Sequence, residues 1–174
     1  ERNRTALELL SSLEEAGCVT VEGDDVRPTH TGRVASSHHL RLATVTRFSE
    51  IARGGGADSV PPARAGIRAL LEVLCSSHEF RELEPRRDQK KALNAVMWAG
   101  PHPWWPKSRR VSGWADKTLA LVHGALSSAA VADGQLRQET HFAMERAPRL
   151  CRALLRMLVD FRHARAPECA ALLR

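Results

Sequence analysis

The residues that could do chemistry in this sequence are cations and aromatic rings, arranged as a nucleic-acid strand would need them. In a long helical stretch, about residues 136–163, Arg149, Arg152 and Arg156 fall on one face, and Phe142 stands seven residues before Arg149 and nearly in line with it. A ring offers a stacking surface, and guanidinium groups two turns further on attract a phosphate backbone, so this row reads as a ladder for a strand. A second set lies in 81–110. Eight basic residues (Arg81, Arg86, Arg87, Lys90, Lys91, Lys107, Arg109, Arg110) face three acids (Glu82, Glu84, Asp88) there, with Trp98, Trp104 and Trp105 interleaved. Cations for phosphates and flat rings for bases are what single-strand binding requires. Each set also has a plainer reading, as Arg side chains solvating a helix face or Trp residues plugging the core from a loop. The candidate nucleic-acid contacts are therefore Phe142, Arg149, Arg152, Arg156, Arg86, Arg87, Lys90 and Lys91.

Nothing in the sequence answers to catalysis. There is no G-x-x-x-x-G-K-[ST] loop, and Gly54-Gly55-Gly56 has neither a following Lys nor a preceding strand. No Ser elbow and no Cys–His motif of catalytic spacing occurs. The eight His do not pair with Cys or acids at metal-ligand spacing, and His38-His39, on a helix, reads as a solvated pair. No catalytic residue, metal ligand or bound cofactor is expected. Cys18, Cys75, Cys151 and Cys169 stand far apart without a C-x-x-C and read as reduced, buried thiols. No apolar stretch is long enough to cross a bilayer, so no membrane partner is expected.

Composition sets the frame for these sites. A chain of 174 residues allows one domain or two small ones, and 43% hydrophobic residues can build a core. A net charge of +6 and a pI near 9.8 favour an anionic partner, nucleic acid being the commonest, although high-GC coding also enriches Arg. The sequence opens on Glu1 and enters a helical pattern at once, so it reads as a piece of a longer protein.

The elements that must position the cations are mostly helices. Residues 5–16 carry Leu at helical spacing and end at Gly17. Residues 18–21 alternate as a strand, 22–25 signal a turn and 26–28 a second strand. Thr29 can cap a helix carrying Val34, Ala35 and Leu40. Helix, hairpin, helix is the end of a winged helix. Another helix starts at Thr44 or Thr46, with Val45, Phe48 and Ile51 on one face. Residues 54–63 read as a linker between a first domain, 1–53, and a helical bundle, 64–174. Within the bundle, 64–76, 86–98, 114–131 and 136–163 are helical and 99–112 is a loop broken by Pro101, Pro103 and Pro106. In the last helix Leu150, Leu154, Met157 and Phe161 share the core face, and Pro148 should kink or restart it, at about 3 kcal/mol.

These segments together resemble a family. Leu10-Ser11-Ser12-Leu13 through Gly17-Cys18-Val19, then Val26-Arg27-Pro28-Thr29 and Gly32-Arg33-Val34-Ala35-Ser36, are similar to the winged-helix end of superkiller-like superfamily-two helicases. The helix with Thr44-Val45-Thr46-Arg47-Phe48 is similar to the one joining the wing to the next domain. Glu79-Phe80, Leu83 and Arg86 through Asn94 resemble the Sec-type helical domain of the meiotic crossover DNA helicases. Asp116-Lys117 and Arg149-Leu150-Cys151-Arg152 continue that domain.

The resemblance implies a mainly α fold: the end of a winged helix (helix, short β-hairpin, helix) followed by a multi-helix Sec-type helicase bundle. It implies a non-catalytic C-terminal region of an ATP-dependent helicase that unwinds DNA three-prime to five-prime in the nucleus during meiotic recombination. The partners would be single-stranded or junction DNA and helicase motor lobes upstream in the same chain, which would hold ATP and Mg. In related archaeal repair helicases a ratchet helix touches the strand with an Arg and a Trp seven residues apart. Those positions align with Phe142 and Arg149, with the two types exchanged. A spliceosomal-type RNA helicase cassette and a protein-interaction scaffold anchored by Trp104-Trp105 remain as alternatives.

Overall fold

Helix α1 (Arg2–Glu15) stops at Gly17, which takes φ 70° and closes the helix end as the sequence anticipates. The computed structural model describes residues 2–54, 66–99, 105, 108–127, 129, 133–164 and 166–171. Among them are eight α-helices and one antiparallel hairpin, the mainly α fold expected. They form two compact units, residues 1–60 with 150–174, and residues 61–149.

In the first unit, β1 (Val19–Glu22) pairs with β2 (Asp25–Pro28) in a register that sets Val19 against Pro28 and Glu22 against Asp25. Gly23 makes the turn at φ 64°. Thr29 then caps α2 (His30–Ser37): its hydroxyl accepts from the Gly32 amide at 3.0 Å and donates to the Gly17 carbonyl at 2.6 Å. The Thr29 amide donates to the Cys18 carbonyl at 2.9 Å. One threonine thus fastens the helix start to the end of α1. Gly32 is required at this crossing, because a Cβ there would lie 2.0 Å from the Cys18 carbonyl oxygen.

Helix α2 ends before the expected position. Leu40 and His38-His39 follow it, and His39 takes φ 48°, so the histidine pair is a helix-terminal turn and not part of a helical face. Helix α3 (Leu42–Ala52) buries Val45 and Phe48, with Thr44, Ser49 and Ala52 beside them.

The second unit comprises α4 (Gly66–Cys75), a 3-10 turn at His78–Phe80, α5 (Lys90–Trp98), α6 (Trp114–Leu126) and the first part of α7 (Gly134–Asp160). Helix α6 packs against α4, α5 and the 3-10 turn. Leu70, Leu74, Phe80, Leu83, Leu93, Leu119 and Leu121 are buried. Helix α5 begins four residues later than the pattern suggests. Arg86 to Gln89 form a turn in which the Gln89 side chain accepts from the Arg86 amide at 3.2 Å. The expected linker lies, apart from Gly54, outside the described residues, as do residues 100–104, 106 and 107 of the expected 99–112 loop.

Of the kink or restart expected at Pro148, the restart does not occur: α7 continues as one helix through that residue. It ends at Asp160, and Arg162 takes φ 52° just beyond. Phe161 therefore leaves the core face: it is 38% exposed, with the Arg53 guanidinium 5.4 Å from its ring centre. A short α8 (Ala166–Ala171), which the sequence pattern did not announce, buries Cys169 against Cys151, the two sulfurs 3.7 Å apart. All four cysteines are free and buried.

Candidate nucleic-acid interface

The first basic set gathers around the start of α5. Arg86 and Arg87 occupy the turn before it and Lys90 and Lys91 its first turn. Two lysines at the positive end of a helix are unfavourable to the helix and reinforce a local positive potential. The four are not equally available. Arg86 donates to Gln135 and lies 4.0 Å from Asp88, and Lys90 is half-buried, whereas Arg87 and Lys91 are exposed.

The described tryptophans of this segment separate sharply. Trp105 is buried, donates from Nε1 to the Arg109 carbonyl at 2.9 Å and lies 4.0 Å below the Arg109 guanidinium. Arg109 also reaches Glu72 at 3.3 Å and Asp116 at 2.9 Å. Trp105 and Arg109 are thus joined within the fold, and Trp105 is not a surface anchor. Trp104 and Lys107 lie outside the described residues. Trp98 remains 37% exposed, with Arg110 over its ring at 4.4 Å. Asp116 feels burial, which raises its pKa, but hydrogen bonds from the Ser112 hydroxyl and amide and from Arg109 outweigh it and hold the carboxyl below its ordinary value.

On α7 the predicted ladder has a varied environment along its length. Phe142 is half-buried and carries the Arg146 guanidinium 3.5 Å from its ring centre, a stack one turn away that the sequence reading did not single out. Arg149 is half-buried, and its Nε is enclosed without a hydrogen-bond partner among the described residues. Ala153, close to the line from Phe142, is fully buried. Arg152 and Arg156 are exposed, Arg156 lying 3.6 Å from Asp160, which also pairs with His30. The cations that open to solvent on this row are therefore Arg152 and Arg156.

A cation that sequence reasoning passed over lies inside the fold. Lys117 of α6 is completely buried, with its ammonium 2.7 Å from Glu139, 2.8 Å from the Gln89 side-chain oxygen and 3.3 Å from the Glu84 carbonyl. The signal was a lone Lys inside the apolar run from Trp114 to Val122. Asn94 works similarly, donating to the Lys90 carbonyl at 2.7 Å and accepting from the Val111 amide at 3.0 Å. The 79–94 motif is therefore a framework motif: Phe80, Leu83 and Leu93 fill the core, and Gln89 and Asn94 tie its segments together. No group of three metal-ligating side chains and no helix long and apolar enough to cross a membrane occurs among the described residues.

Residues 28–174 match the Sec63 Brl domain family. The chain belongs to that family. The chain is also similar to short stretches of much longer proteins, two of the three that follow being named as helicases. The chain is 24% identical to the U5 small nuclear ribonucleoprotein 200 kDa helicase of Drosophila melanogaster, over 86% of its own length and 7% of the relative. It is 32% identical to the ATP-dependent RNA helicase DExH14 of Arabidopsis thaliana, over 45% of its length and 3% of the relative. With the activating signal cointegrator 1 complex subunit 3 of Rattus norvegicus, identity is 26% over 84% of the chain and 6% of the relative. The chain spans less than a tenth of the length of these relatives. The resemblance to superfamily-two helicases thus holds as a shared Sec63 region.

Proposed function

We propose that this Sec63 Brl domain is the non-catalytic region of an ATP-dependent helicase and guides a single strand as it leaves the motor. The observation that carries the reading is that Arg152 and Arg156, one turn apart on α7, are both exposed. Exposed guanidinium groups hold phosphates without reading sequence, which is what a translocating strand requires. ATP and Mg would belong to motor lobes elsewhere in the parent chain, and none of the residues described above is assigned a chemical step.

Two kinds of strand fit. The DNA reading, with three-prime to five-prime unwinding in the nucleus during meiotic recombination, rests on the resemblance of residues 79–94. Those residues mainly build the framework, so they speak to ancestry more than to substrate. The RNA reading is favoured by the name of one matching relative, an RNA helicase, and by another named for a small nuclear ribonucleoprotein.

The test is fluorescence anisotropy with single-stranded DNA and RNA of the same sequence, across a salt series. Wild-type chain should bind with an affinity that falls as salt rises. Arg152→Ala with Arg156→Ala should weaken binding and flatten that dependence, each lost phosphate contact removing about 0.7 from the log–log slope. Full affinity in the double variant would remove the ladder. Preference for one sugar type would choose between the two strands.

A further inference from the structure

Trp98 is the most exposed of the described tryptophans, and its surroundings are unlike those of Trp105. The exposed positions of α5 are Lys91, Ala92, Ala95 and Trp98, with the exposed C-cap Ala99 after them, while Leu93, Asn94, Val96 and Met97 are buried. At about 100° per residue, Lys91, Ala95 and Trp98 fall within about 60° of one another, and Lys91 and Trp98 are about 10 Å apart along the axis. Small alanines occupy the space between a cation at one end and an indole at the other. Arg110 brings a second cation over the indole, at 4.4 Å.

From this juxtaposition we infer that the outer face of α5 is a shelf for single-stranded nucleic acid, on which Trp98 stacks a base while Lys91 and Arg110 attract the flanking phosphates. The inference rests on the strand-guiding reading above and adds a second contact surface to it. Three features favour this occupant. Although Arg110 lies over its ring, the Trp98 indole keeps 37% of its surface in water, and a base presents a π-face that can cover that remainder. A helix that docks on a protein groove carries large apolar side chains at i, i+3, i+4 and i+7, whereas here the intervening residues are alanines and the partner of the indole is a cation. No acid occupies an exposed position of α5, and in the preceding turn the exposed Arg86 and Arg87 outnumber the exposed Asp88, so the local charge suits a polyanion.

The experiment measures binding of the 174-residue chain to labelled oligothymidylate and oligouridylate, with circular dichroism to verify folding. Trp98→Ala should weaken affinity by about five- to a hundredfold, the loss of one base stack, and Trp98→Phe should retain most of it. Lys91→Ala should lower the salt slope by about 0.7. Unchanged affinity in Trp98→Ala and Lys91→Ala, alongside weaker binding in the Arg152/Arg156 variant, would overturn the shelf and leave the strand-guiding reading intact. A wild-type chain that binds neither oligonucleotide would overturn both. A Trp98→Ala change that abolishes a protein contact and spares strand affinity would make this face a protein anchor, also against the shelf.

Discussion

The Lys117 ammonium, fully buried, lies 2.7 Å from the carboxylate of half-buried Glu139, and the pair ties α6 to α7 three residues before Phe142. Gln89 and the Glu84 carbonyl complete the shell around the ammonium, so the buried cation has several acceptors. A charge this deep tolerates little error in its neighbours, which makes it a positioning device for the start of α7.

Removing one partner should therefore be worse than removing both. Lys117→Ala should lower stability by about 3–5 kcal/mol in urea unfolding, because Glu139 keeps a buried charge without its counterion. The combined Lys117→Met, Glu139→Leu change should recover most of that loss. A double variant no more stable than Lys117→Ala would show that packing, and not charge pairing, sets the cost.

Where α2 passes the Cys18 backbone the expectation is steric. Gly32→Ala places a methyl group 2.0 Å from a backbone oxygen that cannot swing aside, so the first unit should lose about 3 kcal/mol or more. Gly23→Ala meets no atom within 4 Å and bears only the left-handed backbone cost, about 1–2 kcal/mol. Urea midpoints of the two variants should rank in that order.

Much of this fold is legible from local rules. Gly17, the Val19–Pro28 hairpin and the Thr29 cap are each decided within a few residues by backbone chemistry, and sequence reads such chemistry well. The long period of α7 is equally plain, and the helix continues through Pro148, where a kink or a restart was expected, without restarting. What sequence cannot supply is the depth of a side chain. Trp98 and Trp105 are the same residue type in one basic segment, yet one is 37% exposed and the other 2%. Lys117 looks like a surface residue until Glu139 and Gln89, distant in sequence, converge on it. The row on α7 could be drawn from periodicity alone, but periodicity did not tell half-buried Arg149 from exposed Arg152. Nor did it reveal that Arg146 covers the Phe142 ring.

Asp116 makes stability sensitive to acid. Its folded pKa lies below the ordinary 3.8, so the native state holds fewer protons than the unfolded chain in the window beneath that value. Its contribution is fully present above 3.8 and is lost as pH falls through the lower folded value. Wild-type urea midpoints should drop between about pH 5 and about pH 3, and Asp116→Asn should be less stable at the upper pH and show a smaller drop. Parallel curves for the two proteins would mean that Ser112 and Arg109 contribute nothing through this carboxylate.

The four thiols should divide by the cooperativity of the helices that bury them. In the native chain a disulfide-based thiol reagent should react slowly with all four, since each is buried. Cys75 is further protected because burial, then the Glu72 charge, pushes its thiol up, leaving little thiolate to attack. Cys151 and Cys169 differ: the hydrogen bond between their sulfurs holds the Cys151 thiol down and pushes Cys169 up, and Arg152 lowers Cys151 further. Their cover includes α8, a six-residue helix too short to hold itself together without packing. Local opening of α8 should therefore precede unfolding of α4, and mild urea should label Cys151 and Cys169 well before Cys75. Peptide mass spectrometry of chains labelled along a urea gradient reads the order directly. Labelling of Cys75 together with the Cys151–Cys169 pair would show that α8 opens only with the whole fold.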